Sequence, residues 1–281
     1  QPLRLWLPFG ILISLFAALF VLRVLRRIQS PRNRLLDAIN NREFVVHYQP
    51  IIELSSGKIV GAEALTRWPQ PDGSSLSPDI FVPLAEQTGL ISQLTHLVIE
   101  KVFEDMGYWL HLHAGQHISI NLAPADLTSG KLPPLLSHLM NKWKVHPQQI
   151  ALELTERGFA DPKISAPAIA AFRHSGHAIY IDDFGTGYSS LSYLQDLDVD
   201  TLKIDKAFVD ALEYKNVTPH IIEMAKSLKL AMVAEGVETE GQLAWLRRHG
   251  VQYGQGWYYS KALPKADFIL WAEDNLKTHP T

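Results

Sequence analysis

Residues 150–183 read IALELTERGFADPKISAPAIAAFRHSGHAIYIDD, a complete strand–helix–strand unit. Ile150–Thr155 and Ala178–Asp182 are short, apolar runs with punctuation on both sides, the pattern of buried strands. Ile164–His174 between them has the length and spacing of an amphipathic helix. The same alternation extends in both directions. Candidate strands are Phe44–Ile52, Ile59–Trp68, His117–Leu122, Thr201–Ile204, Ala231–Ala234 and Val251–Tyr253. Candidate helices are Pro78–Glu86, Ser92–His111, Leu132–Trp143, Ser189–Leu194, Pro219–Leu228, Thr239–His249 and Ala266–Asn275. Eight strands interleaved with helices predict an α/β fold, a (β/α)8 barrel. Only Glu53–Lys58 joins the first two strands, which suits a hairpin and not a helical crossover. The expectation is therefore a modified TIM barrel with an antiparallel first strand.

The 281 residues are 47% hydrophobic and 20% charged, enough apolar material for one large core and too little net charge for disorder. The absence of cysteine excludes a disulfide scaffold, a thiolate zinc site and a cysteine nucleophile. The net charge of −3 hides an asymmetry. Arg4, Arg23, Arg26, Arg27, Arg32 and Arg34 give residues 1–34 a charge of +6 without one acid, leaving 20 basic against 29 acidic residues in the rest, or −9. A body that acidic excludes general nucleic-acid binding, and a phosphate ligand would need an added cation.

Leu5–Leu22 is an uncharged run of 18 residues, long enough for one transmembrane helix. The arginines behind it place its carboxyl-terminal side in the cytoplasm. A signal peptide would carry its positive charges mainly in front; a buried core helix is the other reading. The expected organisation is a transmembrane helix at 1–25, a basic juxtamembrane linker at 26–34 and one domain at 35–281, on the cytoplasmic side of a membrane. A chain opening on Gln1 before such a span is expected to follow an upstream sensor segment.

In a barrel the reacting groups stand at the carboxyl-terminal strand ends. Successive predicted strands deliver Glu63, Asn121, Glu153 with Glu156, Asp182 with Asp183, Lys203 with Asp205, Glu235 with Glu238, and Gln255 to that rim. Carboxylates so close repel and raise one another's pKa. Divalent cations resolve the conflict, and oxygen-only ligation points to Mg²⁺ or Mn²⁺, with Ca²⁺ as the other possibility. Such an ion lowers the pKa of its water from 15.7 toward about 7. The loop 182–190, DDFGTGYSS, is the most specific segment.

At these residues the sequence strongly resembles the EAL-domain family, the bacterial cyclic di-GMP phosphodiesterases. Glu63-Ala64-Leu65 is the signature, within EALTRW, and NLAP, ELTE, DDFGTGYSSL, LKID, AEGVE and QG…LP follow in order over roughly residues 34–275. The resemblance implies hydrolysis of cyclic di-GMP to linear pGpG with Mg²⁺ or Mn²⁺, two ions per site; Ca²⁺, which takes more oxygen ligands and acidifies water less, is expected to inhibit. It implies that Glu63, Asn121, Glu153 and Asp182 hold one metal, that Asp182 bridges to a second held by Asp183, and that Lys203 orients the water. Glu235 is either a metal-shell residue or the general base. Gln49, Leu65, Arg67, Asp205, Glu238 and Gln255 correspond to substrate contacts, and Glu156 to the glutamate that holds the loop after Asp183. A homodimer and a place at the bacterial inner membrane are implied as well, with cyclic di-GMP as a partner; the apolar run adds a lipid bilayer. Two alternatives compete: a non-catalytic cyclic di-GMP receptor of the same fold, and an unrelated barrel metalloenzyme such as a lyase. Neither explains an intact ligand set together with the DDFGTGYSS loop.

Overall fold

A computed structural model describes residues 30–155, 162–182, 184, 197–212 and 217–279, with residues 12 and 14–16. Strands β1 (Val45–Glu53) and β2 (Ile59–Pro69) form the expected antiparallel hairpin, with Gln49 opposite Glu63. A two-residue β3 (Ser75–Leu76) extends β2. From β2 onward the barrel strands run parallel: β4 (His117–Leu122), β5 (Ile150–Thr155), β6 (Ile179–Asp182), β7 (Thr201–Ile204), β8 (Ala231–Ala234) and β9 (Tyr253–Gly254). Strand β9 then meets β1 antiparallel, Ile52 against Gly254, and closes the ring. A short β10 (Leu263–Pro264) pairs along β1.

Closure divides the core in two. Inside the ring Ile51, Ala151, Tyr180 and Val233 pack as a buried plug. Between ring and helices lies the larger core, which includes Phe44, Trp68 and Phe81 with ring centroids 5.0–6.1 Å apart. Those three rings join β1 and β2 to helix α1 (Pro31–Asn40) and helix α2 (Pro78–Gln87). Each of these helices opens on a serine cap with proline in the first turn: Ser30 accepts from Asn33 N and Ser77 from Asp79 N. Helix α1 begins at Pro31, inside the stretch read as linker, and Arg34 ties it to the barrel. Its guanidinium lies 5.1 Å over the Trp68 ring and 2.7 Å from Glu43.

The expected helices within the described residues are present to within three residues at each end. Ser189–Leu194 lies outside those residues, as does most of the apolar run Leu5–Leu22. Of that run, Leu12 and residues 14–16 are helical and exposed. Among the described residues no helix is long and apolar enough to cross a membrane.

Candidate active site

Strand side chains alternate faces, so a polar residue two positions from an inward one also points inward. Register then stacks the acids: Glu63 pairs with Ser119, Asn121 with Glu153, and Thr155 with Asp182. Lys203 on β7 stands at the centre, 1% exposed. Its ammonium lies 2.6 Å from Glu235 Oε1, 2.7 Å from Glu153 Oε2, 3.1 Å from Asp182 Oδ1 and 3.2 Å from Glu63 Oε2. Two amides complete the ring. Asn121 Nδ2 donates to Glu63 Oε1 at 3.0 Å, and Gln255 Nε2 to Glu63 Oε2 at 2.6 Å and Glu235 Oε1 at 3.3 Å.

One cation among four acids leaves the cluster short of positive charge. Burial, with repulsion from Glu63 and Asp182, drives the Glu153 carboxyl well above the usual carboxylate range. Burial, with Asp182 and Glu63 nearby, pushes Glu235 up to about 8 against the pull of Lys203. Glu63 goes the other way: burial opposes ionisation, yet Lys203 and the Gln255 and Asn121 donors hold it low. Burial disfavours the Lys203 ammonium too, but the four carboxylates keep its pKa well above ordinary.

Glu63, Glu153 and Asp182 each offer one oxygen, mutually within 4.8 Å. Glu153 Oε1 is buried without a hydrogen-bond partner, which an uncompensated carboxylate oxygen does not tolerate at low cost. Three converging carboxylates and an orphaned oxygen fit a hard divalent cation.

The outer rim is built differently. Gln49 faces the same side as Glu63 across the hairpin, and its Nε2 donates to Ser260 O at 3.3 Å. Leu65 and Arg67 follow Glu63 on that face, both part-exposed. Asp205 sits at the turn after β7 and caps the short helix Lys206–Asp210, accepting from Ala207 N at 2.8 Å. Glu238 lies on the turn after β8, paired with Lys206 at 2.8 Å. Asp183 and Glu156 lie outside the described residues. Thus Glu63, Asn121, Glu153, Asp182, Lys203, Glu235 and Gln255 converge on one centre, whereas Asp205 and Glu238 are held apart from it by partners of their own. Lys206 escaped the sequence reading. Its signal is present, a basic residue directly after LKID with an acid four positions on at Asp210.

Residues 32–262 match the EAL domain family. The chain is 71% identical to the probable cyclic di-GMP phosphodiesterase PdeB of Escherichia coli (strain K12), over 97% of this chain and 53% of that protein. It is 36% identical to the bifunctional diguanylate cyclase/cyclic di-GMP phosphodiesterase MucR of Pseudomonas aeruginosa, over 84% of this chain and 35% of that one. Among solved structures it resembles the PaMucR phosphodiesterase in its c-di-GMP complex, with a TM-score of 0.78, 34% identity and coverage of 84% of this chain and 99% of that one. The cAMP-bound form of the EAL enzyme Bd1971 aligns with a TM-score of 0.81 at 31% identity, over 94% of this chain and 75% of that one. The chain spans about half the length of curated relatives such as PdeB, at 53%.

Proposed function

The chain belongs to the EAL domain family, and from that premise we propose that it hydrolyses cyclic di-GMP to linear pGpG. The observation that carries the reading is the ring of Glu63, Glu153, Asp182 and Glu235 around the buried Lys203, open to further positive charge. In this proposal Glu63, Asn121, Glu153 and Asp182 hold Mg²⁺ or Mn²⁺, and Asp183 shares a second ion with Asp182. When bound, the cation neutralises charge on the phosphodiester and acidifies its water.

The remaining work falls to the chain's own groups. Lys203 Nζ keeps the carboxylates at hydrogen-bond distance and orients the attacking water. Glu235 stands 2.6 Å from that ammonium with a carboxyl pushed up to about 8, suited to exchanging a proton near neutral pH. Arg67 offers a forked donor to a phosphate, and Gln49, Leu65, Asp205, Glu238 and Gln255 line the path for the rest of the dinucleotide. Glu156 steadies the loop after Asp183. The uncharged run Leu5–Leu22 and the arginines behind it support a bilayer anchor with the catalytic domain on the cytoplasmic side. The curated name of PdeB supports the substrate.

The test is incubation of the purified chain with cyclic di-GMP and Mg²⁺ or Mn²⁺, followed by chromatography. The expected product is pGpG. Ca²⁺ added at constant Mg²⁺ is expected to inhibit, because it takes 6–8 oxygen ligands at about 2.3–2.6 Å and acidifies water less than a smaller ion. Tight binding without any product would favour the receptor reading instead.

A further inference from the structure

We propose that Lys206 is a positioning residue that holds the turn Glu235–Glu238 in its working geometry. The inference rests on the assignment of Glu238 as a substrate contact. Three observations place Lys206 in that role. Its Nζ lies 2.8 Å from Glu238 Oε1 and 3.1 Å from Asp210 Oδ1. Gln242 closes the circuit: its Oε1 accepts from Glu238 N at 2.8 Å and its Nε2 lies 3.5 Å from Asp210 Oδ1. The aliphatic stem of Lys206 lies flat under Gly236, where a Cβ would stand 2.4 Å from its Cγ and 2.7 Å from its Cβ and Cδ. Gly236 has a φ of +63° and directly follows Glu235. From the other side the turn is pinned by Val237 N, which donates to Gln255 O at 3.0 Å.

The turn that carries both Glu235 and Glu238 is therefore gripped between the Lys206 stem and Gln255, directly after β9. The ammonium fixes one acid and the stem fixes the backbone beside the other. A free glutamate on an exposed turn loses side-chain entropy when a ligand immobilises it; one already tethered loses less. The charge of Lys206 thus bears on substrate affinity, and its stem on the placement of Glu235.

The experiment is steady-state hydrolysis of cyclic di-GMP by the metal-loaded chain carrying Lys206→Met, Lys206→Ala or Lys206→Arg. Lys206→Met keeps the stem and is expected to raise KM about three- to fivefold, with kcat unchanged, because the pair is part-exposed. Lys206→Arg is expected to restore most of that loss, and Lys206→Ala to lower kcat as well. Glu238→Gln with Lys206→Met should be no worse than Glu238→Gln alone, since both act through one contact. Gly236→Ala should be less damaging in a Lys206→Ala background, because the two side chains compete for one space. Unchanged KM in Lys206→Met, or additive losses in the Glu238 pair, overturns the proposal while wild-type turnover stands. A wild-type chain that neither binds nor hydrolyses the dinucleotide overturns the functional reading, and this inference with it.

Discussion

Glu153 and Glu238 are both acids of the carboxyl-terminal rim, yet one is fully buried on a strand and the other is 36% exposed on a turn. Register alone aims Glu153, because every other residue of β5 must face the interior. Its charge is then a liability, met in part by Lys203 and left with one orphaned oxygen. Glu238 has water nearby and little desolvation to offset, but no strand to aim it, so a tether through Lys206 and Gln242 does so. Strand positions thus receive geometry from the fold and need their charge balanced. Turn positions keep their charge at little cost and need geometry from neighbours.

The strongest attack on this contrast is at the strands. Glu63→Ala removes a carboxylate that accepts from Asn121 and Gln255 and lies beside Lys203. It is expected to lower kcat by about 10³ or more with the fold retained by circular dichroism. Near-normal turnover at saturating Mg²⁺ would remove Glu63 from the metal site.

Next comes the charge balance itself. Lys203→Met leaves four clustered acids, Glu63 and Glu153 among them buried, without their cation. Breaking a buried pair from one side costs about 3–5 kcal/mol, and that loss is expected in urea unfolding with a chelator present. Added Mn²⁺ should recover more stability in the variant than in the wild type, since the ion then supplies charge that Lys203 no longer does. Equal stabilisation of both would show that the ion and the ammonium do not answer the same carboxylates.

The opposite end of the barrel interior makes a smaller effect. His117 fits against Gly61, where a Cβ would stand 2.8 Å from the imidazole, and its Nε2 meets Tyr180 OH at 2.9 Å. Burial pushes this imidazole down from its ordinary 6.5 to about 4. The folded chain therefore binds the proton less well than the unfolded chain. The associated stability is complete above pH 6.5 and is lost as pH falls from there toward about 4. Because His117 is partly open to solvent, the loss is set at about 1–3 kcal/mol. His117→Gln should flatten that part of the pH–stability curve; an unchanged curve would mean other groups dominate it.

The same division explains what the sequence discloses. The hairpin was legible because ELSSGK is too short for a crossover, and the strand acids because each ends an apolar run. Segments such as Lys206–Asp210, Pro124–Thr128, Ser75–Leu76 and Leu263–Pro264 are too short for any period to register. The role of Lys203 as a hub was hidden for another reason. Three of its four partners lie on three different strands and the fourth, Glu235, directly after β8, and Gln255 reaches Glu63 across 192 residues of chain. Only closure of the barrel brings them together, and pattern along the chain does not report distance across it. Lys206 was hidden because its significance depends on a turn 30 residues away.

The smallest effect separates two tasks at one turn residue. Asp205 caps the helix Lys206–Asp210 through Ala207 N and is also proposed to touch substrate. Asparagine caps a helix about as well as aspartate, whereas alanine loses about 1 kcal/mol. Asp205→Asn should therefore keep the thermal midpoint while raising KM, because it removes charge and preserves the cap. Asp205→Ala should lower the midpoint and raise KM together. If Asp205→Asn leaves KM untouched and only Asp205→Ala impairs the enzyme, the carboxylate serves the turn alone. Asp205 would then join Lys206 as a residue that shapes the rim without meeting the substrate.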